Sequence, residues 1–351
     1  MKSTYKEKDV TLLLKDITGQ VEPLENDIRE RLIQSGIGYC EMLPREYPPS
    51  EKYLSAYRDA LSRNADITAK AVGIAADRIY SDRGGKPVIV SLARAGTPVG
   101  ILIKRYLEKK YKIEVPHYSV SIIRGRGIDK NAIKFILSKH KAEQIQFVDG
   151  WTGKGAIQRQ LNEAMADFPE ICTGIAVLSD PAGVAEKCGT AEDFLIPNSC
   201  LNSTVSGLIS RTFLRSDIIG ENDFHGAVYY EEFEEYDLTY DFIDAVESCF
   251  RFDESCDCVG KDRVQGSGLA ETYRIAEHLA IDNINLVKPS IGETTRVLLR
   301  RIPDKVLVHS LDDRENLGHI YQLAAEKGVA VEEYPLENYK ACGIIRKLAD
   351  N

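Results

Sequence analysis

No stretch of this chain is both long and apolar enough to cross a bilayer, which takes about 18–20 consecutive apolar residues. The polar start, Met1–Lys8, is followed by no apolar signal region, so the chain reads as cytoplasmic. Histidine is scarce, with six in 351 residues, and tryptophan occurs once. The eight cysteines are scattered, and Cys256-x-Cys258 lacks both the C-x2-C spacing and the histidine pair of a zinc knuckle. They read as reduced thiols rather than a disulfide framework. Positive charge is in deficit: 45 Lys and Arg stand against 54 Asp and Glu, a net charge of −9. That excludes wholesale electrostatic attachment to nucleic acid or anionic lipid, and any RNA contact would need a local basic patch. With 43% hydrophobic and 28% charged residues, the chain falls among soluble globular proteins of about two domains.

What is present is concentrated in Ile145–Ile157. An apolar strand ends in one carboxylate, Asp149. A tight loop with three glycines follows, Gly150-Trp151-Thr152-Gly153-Lys154-Gly155, and the amphipathic pattern of a helix resumes in Ala156, Ile157 and Leu161. Glycines let backbone N–H groups approach a phosphate, and a helix N-terminus adds partial positive charge. Asp149 suits ribose hydroxyls or a magnesium shell, while Thr152 and Lys154 supply a hydroxyl and a cation. The loop is not a Walker loop, because Gly150 and Gly153 are three apart and Gly155 follows the lysine; the dinucleotide pattern G-x-G-x-x-G is absent too.

Elsewhere the chain alternates strand and helix patterns. Residues 1–65 read as helical and polar, interrupted by the proline-bearing insert Gly38–Ser50. Helical spacing resumes over 51–80. Pro87–Leu92 is a strand expectation ending in Ala93-Arg94-Ala95-Gly96-Thr97-Pro98, with a helix through Tyr106. Val115–Ile123 is the next strand, and the Gly-spaced segment Arg124-Gly-Arg126-Gly reads as a mobile loop. Helices over 129–140 and 157–167 flank the Ile145–Val148 strand, and Gly174–Leu178 follows. Such alternation implies a mainly parallel sheet with a ligand crevice beyond its strand C-termini. Every polar, glycine-bearing segment named here lies at such an end.

Residues 193–212 read as a further strand and helix start, with Asn202, Ser203 and Thr204 as caps or as second contacts to an anion or base. Residues 221–258 read as an acidic, aromatic face. The polar run 259–268 separates residues 1–258 from a second α/β unit, 269–351. That unit has its helix at Gly292–Arg301, strands at Lys305–His309 and Val329–Tyr334, and a closing helix over Tyr339–Leu348. Lys288, Arg296, Arg300, Arg301 and Lys305 are its basic concentration and its expected phosphate or RNA contacts.

The Phe147–Gly155 loop resembles the phosphoribosyl-diphosphate loop of type I phosphoribosyltransferases. Those enzymes usually carry two adjacent acids ahead of the threonine, where this chain has Asp149 followed by Gly150. With Gly38–Ser50, Ser91–Thr97, Leu195–Thr212 and Asp223–Gly226 in view, nearly the whole chain resembles the phosphoribosyltransferase-like proteins of tellurite-resistance and stress operons. These end in a Pelota-like RNA-binding domain, and the family also bears the label of a cysteine protease, StiP. The resemblance implies a type I phosphoribosyltransferase-like α/β fold. It also implies transfer from phosphoribosyl diphosphate with magnesium to an unidentified base-like acceptor. It places the 5′-phosphate on Thr152–Gly155 and the leaving pyrophosphate at Arg94 and Ala95–Thr97. Asp149 then serves the sugar, Arg94 and Lys154 the phosphates, and Arg124 and Arg126 a loop closing over the leaving group. Magnesium comes with the ligand, with Asp149 as its one protein candidate.

Two other function classes fit the same residues. A thiol peptidase would draw on Cys200, Cys40 and His225, with Cys200 favoured by its expected place at a helix start. A non-catalytic sensor would keep the phosphate cradle and couple it to RNA binding. A homodimer is left open.

Overall fold

The computed structural model describes residues 1–253 and 264–347; Cys256, Cys258 and the expected linker residues 259–263 lie outside them. The chain opens with two short strands, β1 (Thr11–Leu13) and β2 (Lys15–Asp16), then the helices α1 (Asn26–Gln34) and α2 (Glu51–Asp82). Strands and helices then alternate through β3 (Val88–Ala93), α3 (Gly96–Tyr111), β4 (His117–Ile123) and a hairpin return, β5 (Gly127–Ile128). They continue through α4 (Lys130–Leu137), β6 (Ile145–Val148), α5 (Ala156–Ala164), β7 (Ala176–Ser179) and β8 (Lys187–Thr190). β9 (Gly226–Ala227) pairs with β2, and α6 (Thr239–Ser248) follows.

The main sheet has the order β1-β4-β3-β6-β7-β8, with every neighbour parallel; β5 returns antiparallel on β4. Its strands are buried along their whole length at β4, β6 and β7, which is why they read as continuous apolar runs rather than alternating ones. One face is covered by α2, α3 and α6, through Ile79, Leu102 and Phe242. The other is covered by α4 and α5, through Ile133, Ile136 and Leu161 on Val90, Val120 and Phe147. This is the doubly wound α/β arrangement that strand–helix alternation implies. From β3 the chain adds β4 on one side and then crosses to β6 on the other. The strand order therefore reverses between β3 and β6, and a ligand crevice is expected beyond their C-termini.

The C-terminal unit comprises α7 (Ser267–His278), β10 (Val287–Pro289), α8 (Ile291–Arg300), β11 (Pro303–Val308), α9 (Arg314–Glu326), β12 (Ala330–Glu333) and β13 (Ala341–Ile345). Its sheet runs β10-β13-β11-β12, antiparallel except for β11 with β12. The unit packs directly on the first. Buried Asp193 accepts the backbone N–H of Ile291 at 3.0 Å and of Lys340 at 2.9 Å. Gly268, in the first turn of α7, lies so close that a Cβ there would sit 2.3 Å from the Pro181 carbonyl oxygen.

Three expectations are corrected. The first 50 residues are mostly non-helical, because Thr11–Leu13 is a short apolar run that adds an edge strand to β4. Residues 193–212 contain no full helix and no strand, only two short 3-10 turns (Pro197–Cys200 and Ser203–Val205); the preceding strand, β8, ends at Thr190. The expected closing helix is the central strand β13. Five consecutive buried residues there fit a strand with neighbours on both sides, a pattern that periodicity alone does not separate from a buried helix.

Burial raises the Asp193 carboxyl to about 7. A carboxyl raised in the fold contributes stability below its unfolded value, near about 4, and that contribution is lost as pH rises to the folded value. Urea unfolding of the intact protein should therefore show stability falling from pH 5 to pH 8, with Asp193→Asn reducing the slope. Asp193→Ala leaves two buried N–H donors without an acceptor and should lower stability by about 2 kcal/mol or more at pH 5.

Candidate functional site

The reversal of strand order brings together two segments from distant parts of the sequence. β3 ends at Ala93, the Ala93–Arg94 peptide is cis, and α3 starts at Gly96. A Cβ on Gly96 would lie 2.8 Å from the Val148 carbonyl oxygen and 3.2 Å from Asp149 Oδ1, so glycine lets this turn close against the end of β6. Opposite it, the loop Asp149–Gly155 leads into α5, with Gly155 in the left-handed region at φ +70°. A cavity of about 270 Å3 lies here, walled by Ala95, Asp149, Thr152, Lys154, Arg124 and Arg296 among others.

Asp149 is half-buried and accepts the N–H of Gly150 at 2.8 Å. Burial raises its carboxyl to about 6, against the pull of Arg296. Thr152 points its hydroxyl at Asp180, and Asp180 also accepts the N–H groups of Val184 and Ala185 at 3.0 and 2.9 Å. The Thr152 N–H donates to the Ser179 carbonyl at 3.0 Å, which ties the loop to the end of β7. Lys154 does not project freely into the cavity. Its ammonium donates to the carbonyls of Ile284 and, at 3.0 Å, Val287. Burial lowers it to about 7. The Gly153 carbonyl accepts the Tyr339 hydroxyl at 2.7 Å, and the Arg296 guanidinium lies 4.2 Å from the centre of the Trp151 ring. One side of the expected phosphate loop is thus covered by the C-terminal unit.

Thr97 turns inward, with its hydroxyl 2.7 Å from that of Ser119. Arg94 pairs with Glu46 at 2.8 Å and donates to Asn202 and to the Ile209 carbonyl. Ser203 donates its hydroxyl to the same Glu46, at 2.7 Å. Asn202, Ser203 and Thr204 therefore cap no α-helix; they wall a second cavity, of about 390 Å3, together with Arg94. The Arg124–Gly127 segment is the turn of the β4–β5 hairpin. Arg124 bonds Asn285 through its guanidinium and Tyr39 through its N–H, and Arg126 pairs with Glu41 at 2.7 Å.

The basic residues of the C-terminal unit do not share one outer face. Lys288 and Arg296 wall both cavities and Arg301 the second, whereas Lys305 pairs with Glu332 at 2.8 Å on the edge strand. The side chain of Arg300 lies outside what is described.

The thiols expected for nucleophilic chemistry are dispersed. Cys200 closes a 3-10 turn instead of opening a helix, and it is 3% exposed. Cys40 is buried, and burial raises its thiol above the ordinary value. The His225 ring is held by the Ser121 hydroxyl at 2.8 Å and bonds neither. Among the described residues no group of three or more His, Cys, Asp or Glu side chains stands ready to hold a metal, and no helix is long and apolar enough to cross a membrane.

The family model described as "Tellurite-like stress resistance cysteine protease StiP" matches residues 3–247, and the cysteine protease StiP of Acinetobacter baylyi is 34% identical over 98% of this chain and 94% of its own. The chain belongs to the StiP family. A second model, the Pelota RNA-binding domain, matches residues 266–347. Among solved structures, a hypothetical protein from Neisseria gonorrhoeae with bound ppGpp aligns over 33% of this chain and 67% of its own, at 16% identity and a TM-score of 0.23. A hypoxanthine phosphoribosyltransferase from Trypanosoma cruzi aligns over 39% and 71%, at 14% identity and 0.22. At those scores neither likeness carries an argument about this StiP-family member.

Sequence reasoning left Glu46, Asp180, Asp193, Arg211 and Glu293 out of the site. Glu46 stands inside the singled-out Gly38–Ser50 insert and Arg211 inside Leu195–Thr212, so both lay within segments already marked. Buried thiols without a histidine partner should be inert. Brief iodoacetamide treatment of the native protein at pH 7, followed by peptide mapping, should label the half-buried Cys172 and Cys249 well ahead of Cys40 and Cys200. Preferential labelling of Cys200 would restore it as a nucleophile.

Proposed function

We propose that the chain transfers a phosphoribosyl group from phosphoribosyl diphosphate to a base-like acceptor, in making a nucleoside-like metabolite linked to stress resistance. The observation that carries this reading is the cavity at the strand-order reversal, with the Asp149–Gly155 loop on one wall and the Ala95–Gly96 turn on the other. Departure of pyrophosphate leaves positive charge on the ribose C1′, which a nearby carboxylate stabilises. In this reading Asp149 takes that role. Arg124, Arg296 and Lys288 are the cations around the leaving group, whereas Arg94, expected there from the sequence, lines the second cavity instead; Lys154 serves by clipping the C-terminal unit over the loop and so excluding water.

Magnesium fits this wall as an ion delivered by the ligand. Asp149 and Glu293 are the carboxylates that line the cavity, and one or two carboxylates plus substrate oxygens are the usual magnesium set. When bound it would neutralise charge on the departing diphosphate. The family description supports a thiol hydrolase as the second reading, and Cys200 does line the second cavity. The Pelota match supports RNA binding by the C-terminal unit.

Calorimetric titration with phosphoribosyl diphosphate and magnesium tests the first reading. Binding should be tight in the wild type and at least ten-fold weaker in Asp149→Asn. Pyrophosphate release should rise with pH through about 6, because the carboxylate is the working form of Asp149, and the Asn variant should lose both the turnover and that limb. Absence of binding at millimolar ligand would remove the transferase reading.

A further inference from the structure

The second cavity is walled by three segments that lie outside the parallel sheet. These are the N-terminal stretch from α1 to Tyr53, the irregular chain Cys200–Arg211, and the C-terminal unit, joined by Arg94 from the turn after β3. Its charge is one-sided: six arginines and one lysine line it, against two glutamates, Glu46 and Glu293. Ion pairs account for some of these cations, since Arg94 holds Glu46 at 2.8 Å, Arg45 holds Glu25 at 3.1 Å and Arg296 meets Glu293 at 3.4 Å.

Arg211 is different. Its side chain forms no ion pair among the described residues and lies against the Tyr39 ring, whose centre is 5.4 Å from the guanidinium carbon. Burial lowers it to about 10, with Arg29 and Arg94 pushing the same way and Tyr39 and Glu46 opposing, so three guanidinium groups crowd around the single carboxylate Glu46. Beside them, among the described residues, the buried hydroxyl of Tyr230 has no hydrogen-bond partner, nor has Arg296 Nε. One carboxylate leaves such a cluster with excess positive charge that a further anion would relieve, and planar guanidinium groups match phosphate oxygens in pairs. A volume of about 390 Å3 suits a ligand of nucleotide size.

We infer that this arginine chamber binds the acceptor of the transfer reaction, and that the acceptor carries a phosphate group. The assignment rests on the transferase reading above. Lys288, Glu293 and Arg296 stand on the walls of both cavities, so the chamber opens beside the one assigned to phosphoribosyl diphosphate. The phosphate would lie among Arg29, Arg94 and Arg211, leaving the rest of the acceptor directed toward the shared wall. The base-binding part of the site is thus supplied by segments that the parallel sheet does not determine, including the C-terminal unit. That unit's Lys288, Arg296 and Arg301 then serve a small anion.

The test uses the full chain, with inorganic phosphate as the probe and sodium chloride of equal ionic strength as the blank. Calorimetry should show phosphate binding to the wild type, saturated with phosphoribosyl diphosphate and magnesium, and at least ten-fold weaker binding to Arg211→Met. In chloride alone Arg211→Met should melt no lower than the wild type, because it removes a part-buried cation that holds no ion pair and is crowded by Arg29 and Arg94. In phosphate only the wild type should gain melting temperature. Arg301→Ala, which trims an exposed cation at the rim, covers the case in which Arg211→Met does not fold; it should weaken phosphate several-fold. Lys305→Ala, an equal charge change outside the chamber, should leave affinity unchanged.

Equal phosphate affinity in Arg211→Met, Arg301→Ala and the wild type would overturn the chamber. Phosphate binding lost in the arginine variants while phosphoribosyl diphosphate never binds would keep the anion site. It would overturn its assignment to an acceptor, and so separate the two failures.

Discussion

Because β4 and β6 flank β3 on opposite sides, the chain must reverse the direction in which the sheet grows, and no crossover helix can cover the gap left above β3 and β6. Both the Gly96 turn and the Asp149 loop open into that gap. Gly96 lies against Val148 and Asp149 so closely that any side chain there would force the two strand ends apart. Everything assigned to the site depends on this junction: the half-buried carboxylate, the loop into α5 and the cavity between them.

The C-terminal unit is part of the site rather than an appendage to it. Asp193 grips it through two backbone N–H groups, Lys154 through two carbonyls and Gly153 through the Tyr339 hydroxyl. These contacts place a buried carboxylate and a buried ammonium on the same seam, raised to about 7 and lowered to about 7 respectively. Both shifts come from burial, which disfavours the charged form of each group.

For a StiP-family chain the geometry separates the family's descriptive label from the chemistry the site offers. A thiol nucleophile needs a base within hydrogen-bonding reach. Here His225 is spent on Ser121, the Cys40 thiol is raised by burial, and Cys200 sits at the end of a 3-10 turn where no N-terminal dipole acts on it. The arginines, by contrast, converge on two adjoining cavities, and their concentration is far above what the acidic overall composition would suggest.

The sequence by itself determined the alternation of strands and helices, the parallel sheet and the Asp149–Gly155 loop. All of these rest on local signals: unbroken apolar runs, glycine in a turn, and periodicity resuming at Ala156. It failed where burial is decided by distant partners. Thr11–Leu13 became a strand only because the edge of β4 was open, and Ala341–Ile345 only because β10 and β11 left a slot between them. Only the tertiary structure decided that Lys154 clips the C-terminal unit, and that Lys288 and Arg296 face inward. The gathering of Arg29, Arg94 and Arg211, from segments more than 180 residues apart, was also decided there. Electrostatic neighbourhood depends on distance in space, and a linear reading of charges carries no measure of that distance.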